Sequence, residues 1–186
     1  QSLTEDKMVK LKEVIKLKNV LDEMDVNALA SRFESRRAES LLNWAIERYG
    51  SRMAIVTSFQ SEGMAIIDMA YHINPDVRII TIDTQKLPKE THDLINRIGE
   101  RYGINVEIHY PQKHVISEMV REHGANLFYD NVSLRMLCCH NRKVEPMNQA
   151  LTGLNAWITG LRRSQSETRA NFAKIEVDSN HGHILK

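Results

Sequence analysis

The pattern of apolar and polar positions changes character near residue 53. Over the first fifty residues apolar side chains recur at helical spacing, which predicts helices. One predicted face carries Met8, Leu11, Ile15 and Leu21, and another carries Leu41, Leu42, Ala45, Ile46 and Tyr49. Residues 1–50 are therefore expected to form a helical segment that packs on a domain formed by residues 51–186.

From residue 53 onwards, short apolar runs alternate with amphipathic stretches. The runs MAIVTS, VRIITID, NVEIHY and AWIT predict strands, and AKIEVD with GHIL predicts a hairpin around 179–182. Helices are expected at 63–73, 88–102, 115–123 and 142–151. This alternation predicts an α/β fold with a doubly wound, mostly parallel sheet flanked by helices.

Composition narrows the class of protein. With 186 residues, 42% of them hydrophobic and 26% charged, the chain has an ordinary globular composition. No apolar run of about 18 residues predicts a membrane span, and no signal peptide is recognised, so a cytoplasmic protein is expected. The two cysteines lack the spacing of a disulfide framework, which agrees with a reducing compartment.

The charge is unevenly distributed. The whole chain carries a net charge of +1, but residues 135–169 hold six basic residues against two acidic ones, a net charge of +4. A local cationic patch on a nearly neutral protein favours a small anionic ligand over nucleic acid. A solvated basic face is the alternative.

Ligands of doubly wound sheets bind at the carboxyl ends of the strands, which selects three loops. In the first, TSFQSEG, Ser58 and Ser61 offer hydroxyls, and the helix that follows offers free N–H groups to a phosphate. It lacks the GKS or GKT of a Walker loop. An ordinary serine cap on a helix would explain the same residues.

The other two loops add polar and cationic groups. In IDTQKLP, Asp83 and Thr84 could hold a ribose or a metal, although both residue types are common at helix entries. In TGLRRSQSETR, Gly160 permits close approach of the backbone, and three arginines offer planar forks for phosphate or sulfate. A helix N-terminus with surface arginines is the alternative for this third loop.

Cys138 and Cys139 are adjacent, are the only cysteines, and open the run CCHNRKVEP. A disulfide between neighbouring residues requires strained geometry. Thiolates suit zinc and iron–sulfur clusters, but two supply only half of the usual ligand set. Two buried reduced thiols are the alternative interpretation.

The order of the motifs TSFQSEGMAIID, IDTQKLPKETHDL, CCHNRKVEP and WITGLRRSQSETRA resembles the assimilatory adenylyl-sulfate (APS) reductases. These are relatives of the phosphoadenylyl-sulfate (PAPS) reductases in the adenine nucleotide α-hydrolase-like group. The resemblance runs from about Val26 to the end. It implies an oxidoreductase of sulfate assimilation and cysteine biosynthesis that converts adenylyl sulfate to sulfite and AMP. It also implies that a C-terminal cysteine forms an enzyme S-sulfocysteine, which thioredoxin reduces.

The resemblance also implies roles for individual residues. Cys138 and Cys139 match the first two ligands of a [4Fe-4S] cluster, and Lys143 matches a lysine between cluster and substrate sulfate. The implied substrate-binding residues are Ser58, Phe59, Gln60, Ser61, Glu62, Asp83, Thr84, Lys143, Gly160, Arg162, Arg163, Gln165, Ser166 and Arg169. The expected partners are adenylyl sulfate or AMP and thioredoxin, with no nucleic acid and no membrane. The lysine-rich first helix is a candidate homo-oligomer contact.

Departures from the family pattern modify these expectations. Gln60 and Gln85 stand where the family usually has glycine, and the chain contains neither a CxxC nor a C-terminal cysteine. We therefore expect a fragment of a longer protein that is inactive alone and holds an incomplete cluster or none. Three alternatives stay open: a PAPS reductase, a non-catalytic nucleotide or iron–sulfur binding domain, and an ATP pyrophosphatase-type enzyme. The SGGxDS of the last is not matched.

Overall fold

The computed structural model describes residues 23–186. The predicted first helix, with its lysine-rich face, lies outside these residues. The helices are α1 Glu23–Glu34, α2 Ala38–Tyr49, α3 Ser61–Ile73, α4 Lys89–Tyr102, α5 Lys113–His123, α6 Val132–Cys139 and α7 Glu145–Leu151. The strands are β1 Met53–Val56, β2 Ile79–Ile82, β3 Val106–His109, β4 Ala156–Ile158, β5 Val177–Asp178 and β6 Ile184–Leu185.

The six strands form one sheet in the order β3-β2-β1-β4-β6-β5. All neighbouring strands are parallel except β5 and β6, which pair antiparallel as the predicted hairpin. The chain reverses its direction of winding between β1 and β4, so the sheet is doubly wound and the predicted fold class is confirmed. The point of reversal is where such sheets bind ligands.

The central strands are apolar because helices cover both of their faces. All four residues of β1 are buried, and Ile55, Ile79 and Ile80 are fully inaccessible to solvent. Phe33 of α1 and Ile46 of α2 pack with Ile55 on one face, and residues of α7 pack with Trp157 on the other. Among residues 23–186, no helix is long and apolar enough to cross a membrane.

Two features near the cysteines were not predicted. Helix α6 is capped at its N-terminus by Asn131, whose side chain accepts a hydrogen bond from the Leu134 N–H at 2.9 Å. A π-helical turn, His140–Val144, then separates α6 from α7. The helix predicted at 142–151 is therefore α-helical only from Glu145. This wider turn follows Cys139 directly, and such turns are frequent at functional sites.

An ion pair at one end of the sheet supports a prediction about stability and pH. The Arg78 guanidinium donates to both carboxylate oxygens of Glu107, at 2.8 and 2.9 Å, and lowers the pKa of that carboxyl. Because the folded-state pKa is depressed, the pair stabilises the fold above the unfolded value of about 4.3, and this contribution is lost as pH falls through the folded value. Both side chains are about one-third exposed, so Glu107→Gln should cost about 0.5 kcal/mol at neutral pH.

Urea denaturation near pH 7 and near pH 3 measures this effect. Glu118→Gln is a suitable control, because the Glu118 carboxylate is exposed and lies 3.5 Å from Arg121 on the same helix. If Glu107→Gln lowers the free energy of unfolding equally at both pH values, the ion-pair explanation is wrong.

Candidate functional site

The first and third predicted loops meet at the carboxyl ends of β1 and β4. A Cβ atom added to Gly160 would lie 2.8 Å from Glu62 Cβ and 3.0 Å from the Gly63 backbone nitrogen. The loop after β4 therefore crosses directly over the first turn of α3. Only glycine permits this approach, since real Cβ atoms essentially never come within 3.0 Å of another heavy atom in such contacts.

The loop after β1 is a tight turn that leads into α3. Phe59 adopts a φ of 58°, and its N–H donates to Thr57 Oγ1 at 2.9 Å. A Cβ at Gly63 would lie 2.1 Å from the same Oγ1. Thr57 and Gly63 thus shape the loop, although only the five residues between them, 58–62, were named from the sequence. A threonine at the end of a buried strand, followed by a helix-entry glycine, was the available signal.

The start of α3 is suited to an anion. Met64 N–H makes the first helical bond, to Gln60 O at 2.9 Å, which leaves the preceding N–H groups without helical partners. Ser58, Gln60 and Ser61 are exposed beside them. Phe59, also predicted to bind the substrate, is not exposed here, because its side chain is buried in the core with Ile67 and Ile79.

Glu62 and Arg162 connect the first and third loops. Arg162 Nε lies 2.5 Å from Glu62 Oε1, and the Glu62 side chain is only 14% exposed. Hydrogen bonds from its own backbone N–H and the Ser61 hydroxyl, with the charge of Arg162, lower the pKa of the Glu62 carboxyl. The carboxylate therefore stays ionised at neutral pH and orients Arg162 next to the helix N-terminus.

Some of the substrate-binding residues predicted in the third loop contact one another, and the side chain of Arg163 points away from them. Gln165 Oε1 accepts hydrogen bonds from Arg169 Nη1 and from the Arg162 N–H. Ser166 Oγ lies 3.0 Å from Thr168 Oγ1. Arg163 instead points to α1, where both of its terminal nitrogens contact Glu34. Arg162, Gln165 and Arg169 thus form a group, and Arg163 lies outside it.

A buried carboxylate stabilises the second loop through a hydrogen bond. Asp83 is buried, and its Oδ1 accepts the Gln85 N–H at 2.7 Å. Gln85 adopts a φ of 60°, the left-handed region that glycine favours, at a position where the family resemblance leads us to expect glycine. Gln60, the other departure, has an ordinary φ of −71°. His92 Nε2 lies 3.6 Å from Asp83 Oδ2.

The cysteine segment contacts the second loop through Arg142. Cys138 is buried and Cys139 is exposed. Arg142, four residues after Cys138, is 7% exposed, and its Nη1 donates to Thr84 O at 2.9 Å. Its buried Nε has no hydrogen-bond partner in the part of the chain that the structure describes. A buried cation with an unused donor favours an anionic group nearby.

The residues present fit only half of a four-iron cluster. The chain has two cysteines, and within residues 23–186 no group of three or more His, Cys, Asp or Glu side chains could hold a metal ion. A [4Fe-4S] cluster takes four cysteine ligands. Lys143, the predicted link between cluster and sulfate, is exposed on the π-helical turn.

Comparison with known proteins identifies relatives of this chain. The chain is 39% identical over 154 residues to the adenosine 5'-phosphosulfate reductase of Burkholderia cepacia, covering 83% of this chain and 60% of the relative. It is 34% identical over 179 residues to the chloroplastic 5'-adenylylsulfate reductase 3 of Arabidopsis thaliana, covering 96% of this chain and 38% of the relative. The chain thus spans about half of the length of these relatives.

A solved structure and a family description extend the comparison. The crystal structure of phosphoadenylyl-sulfate (PAPS) reductase from Candida auris, a phosphate complex, matches with a TM-score of 0.74 and 26% identity. The match covers 90% of this chain and 78% of that one. Residues 52–186 match the family described as the phosphoadenosine phosphosulfate reductase domain. The chain therefore belongs to the phosphoadenosine phosphosulfate reductase domain family.

Proposed function

We propose that this chain is the nucleotide-binding part of an adenylyl-sulfate reductase, which uses thioredoxin to reduce adenylyl sulfate to sulfite and AMP. The observation that carries the proposal is the approach of Gly160 to the first turn of α3, at the point where the sheet reverses its winding. This approach brings cationic side chains to a helix N-terminus, an arrangement that binds phosphate.

Each loop has a proposed role in holding the substrate. The N–H groups in the first turn of α3 other than that of Glu62, with Ser58 and Ser61, would bind the phosphate. Arg162 and Arg169 would offset the charge of the phosphate and the sulfate. Asp83 and Thr84, at the end of the neighbouring strand β2, would contact the adenosine.

The chemistry proposed for the whole protein requires groups outside these 186 residues. A cysteine thiolate would attack the sulfur of adenylyl sulfate, the bond from sulfur to the phosphate oxygen would break, and AMP would leave with that electron pair. Two thioredoxin thiols would then release sulfite and become a disulfide. Cys138 and Cys139 are proposed as half of a [4Fe-4S] ligand set. A cytoplasmic location and homo-oligomer formation stay predictions.

The tandem cysteines favour adenylyl sulfate over its 3'-phosphorylated relative as substrate, since the family resemblance associates them with the former. Competition between AMP and 3'-phosphoadenosine 5'-phosphate distinguishes the two. We expect AMP to bind at least as tightly. Clearly tighter binding of the 3'-phosphorylated nucleotide would support a PAPS reductase instead.

Calorimetry with AMP tests the pocket itself. We expect the chain to bind AMP, adenosine to bind more weakly because it lacks the phosphate, and Arg162→Ala to weaken AMP binding about tenfold through loss of a charge-assisted contact. Arg97→Ala, at an exposed position of α4, is the matched control. If the chain does not bind AMP even at millimolar concentration, the proposed pocket is wrong.

A further inference from the structure

The third loop continues from TGLRRSQSETR to Lys174 and, after Gly160, has no residue buried in the core. None of residues 161–174 is buried, and Ile175 is the first buried residue after the loop. Beneath the loop lies a cavity of about 590 Å³, lined by apolar side chains of α2 such as Leu41 and Trp44 and by Phe172 of the loop itself. Beyond the close approach of Gly160 to α3, polar contacts therefore hold this loop in place.

Several of these polar contacts lie at the end of α1. Arg163 Nη1 and Nη2 donate to the two carboxylate oxygens of Glu34 at 2.6 and 2.9 Å, and Arg163 Nε donates to Phe172 O at 2.7 Å. Lys174 Nζ donates to Arg36 O at 2.8 Å and, at 3.4 Å, to Phe33 O. Cations at a helix C-terminus interact favourably with the helix dipole.

Consecutive arginines thus face opposite sides of the loop. Arg162 contacts Glu62 on α3, at the proposed nucleotide site, whereas Arg163 contacts Glu34 on α1. The Arg163 fork faces a carboxylate and its Nε faces a carbonyl of the same loop. Its planar group therefore closes the loop on itself and fastens it to α1.

We propose that Glu34 and Arg163 form a latch that holds the third loop over the start of α3, with Glu34 as a positioning residue for Arg162 and Arg169. Arg163 then acts on the nucleotide only through the placement of the loop. The effect of the latch on nucleotide binding rests on the proposed function, but its effect on loop order does not.

Two measurements on the 186-residue chain test the latch. In Glu34→Gln, amide hydrogen exchange across residues 161–174 should become about tenfold faster, because an ordering contact is lost. Calorimetry should show AMP binding about threefold to tenfold weaker, since the loop must be ordered on binding. Both side chains are close to half-exposed, so the variant should fold normally.

Control and rescue variants sharpen the test. Glu39→Gln, which removes an exposed carboxylate paired with Arg37 on α2, should change neither measurement. The exchanged pair Glu34→Arg with Arg163→Glu should restore part of the slow exchange and part of the lost affinity, since it recreates the ion pair but not the hydrogen bond to Phe172 O.

The outcomes separate the latch from the alternatives. If Glu34→Gln binds AMP more tightly, or if the exchanged pair binds worse than Glu34→Gln alone, Arg163 contacts the nucleotide itself and the latch proposal is wrong. Unchanged exchange in the loop overturns the latch as well. If wild-type chain fails to bind AMP while Glu34→Gln still speeds exchange, the latch stands and the proposed function fails.

Discussion

Gly160→Ala is expected to abolish AMP binding and to lower the free energy of unfolding by about 2 kcal/mol through overpacking. The added Cβ would lie within 3.0 Å of three atoms of Glu62 and Gly63, two of which belong to the backbone of the first turn of α3. Backbone atoms cannot rotate away as a long side chain can. The loop would have to lift from the helix N-terminus, and the proposed anion site would separate into two halves.

Gly99→Ala is the matched control for Gly160→Ala. A Cβ at Gly99 meets only the Ile104 carbonyl oxygen, at an ordinary 3.5 Å, within helix α4. That variant should be more stable by about 0.5 kcal/mol, because alanine loses less entropy in a helix. Urea denaturation and AMP calorimetry measure both effects. Normal AMP affinity in Gly160→Ala would show that the two loops need not touch.

Asp178→Ala should cost about 3 kcal/mol of stability, because it leaves the buried Trp157 indole N–H and two partly buried donors without an acceptor. The Asp178 carboxylate is 7% exposed and accepts the Trp157 indole N–H at 3.0 Å and the Asn180 N–H at 3.1 Å. His181 Nδ1 lies 2.7 Å from it. One side chain thus joins the β5–β6 hairpin to β4, and its loss should release the edge of the sheet.

Urea denaturation monitored by tryptophan fluorescence measures the stability lost in Asp178→Ala. Asp178→Asn should lose less, since an amide oxygen can still accept one N–H. Asp76→Ala, in an exposed turn, should change stability by less than about 0.5 kcal/mol. A small loss in Asp178→Ala, comparable to that of Asp76→Ala, would mean that the hairpin is held by other contacts.

The sequence predicts much of this fold because its local signals are strong. The strand around Ile55 is apolar throughout and the strand around Ile80 is apolar except for Thr81, as expected of strands covered on both faces, and Gly103 ends α4 as expected of a left-handed cap. The order of the strands has no such local signal. Helix α6 was missed because it spans eight residues and exposes Val132 and Met136, so no apolar stripe predicts it.

The candidate site is less predictable than the fold, because its geometry depends on contacts between distant segments. Three arginines in one motif look equivalent in the sequence. In the structure, Arg163 forms an ion pair with Glu34, which lies 129 residues away in the sequence, and Arg162 forms one with Glu62. Likewise, no local pattern shows that Gly160 must fit against Gly63. Such pairings exist only after the sheet has brought the loops together.

Because of the π-helical turn at His140–Val144, the geometry of this segment depends on how many residues the turn contains. An α-helix rotates by about 100° per residue. A deletion of one residue in the turn would leave an almost continuous helix, yet it would rotate Cys138 and Cys139 by about that angle relative to α7. Insertions and deletions of a single residue in this turn should therefore be more damaging than substitutions at its exposed positions.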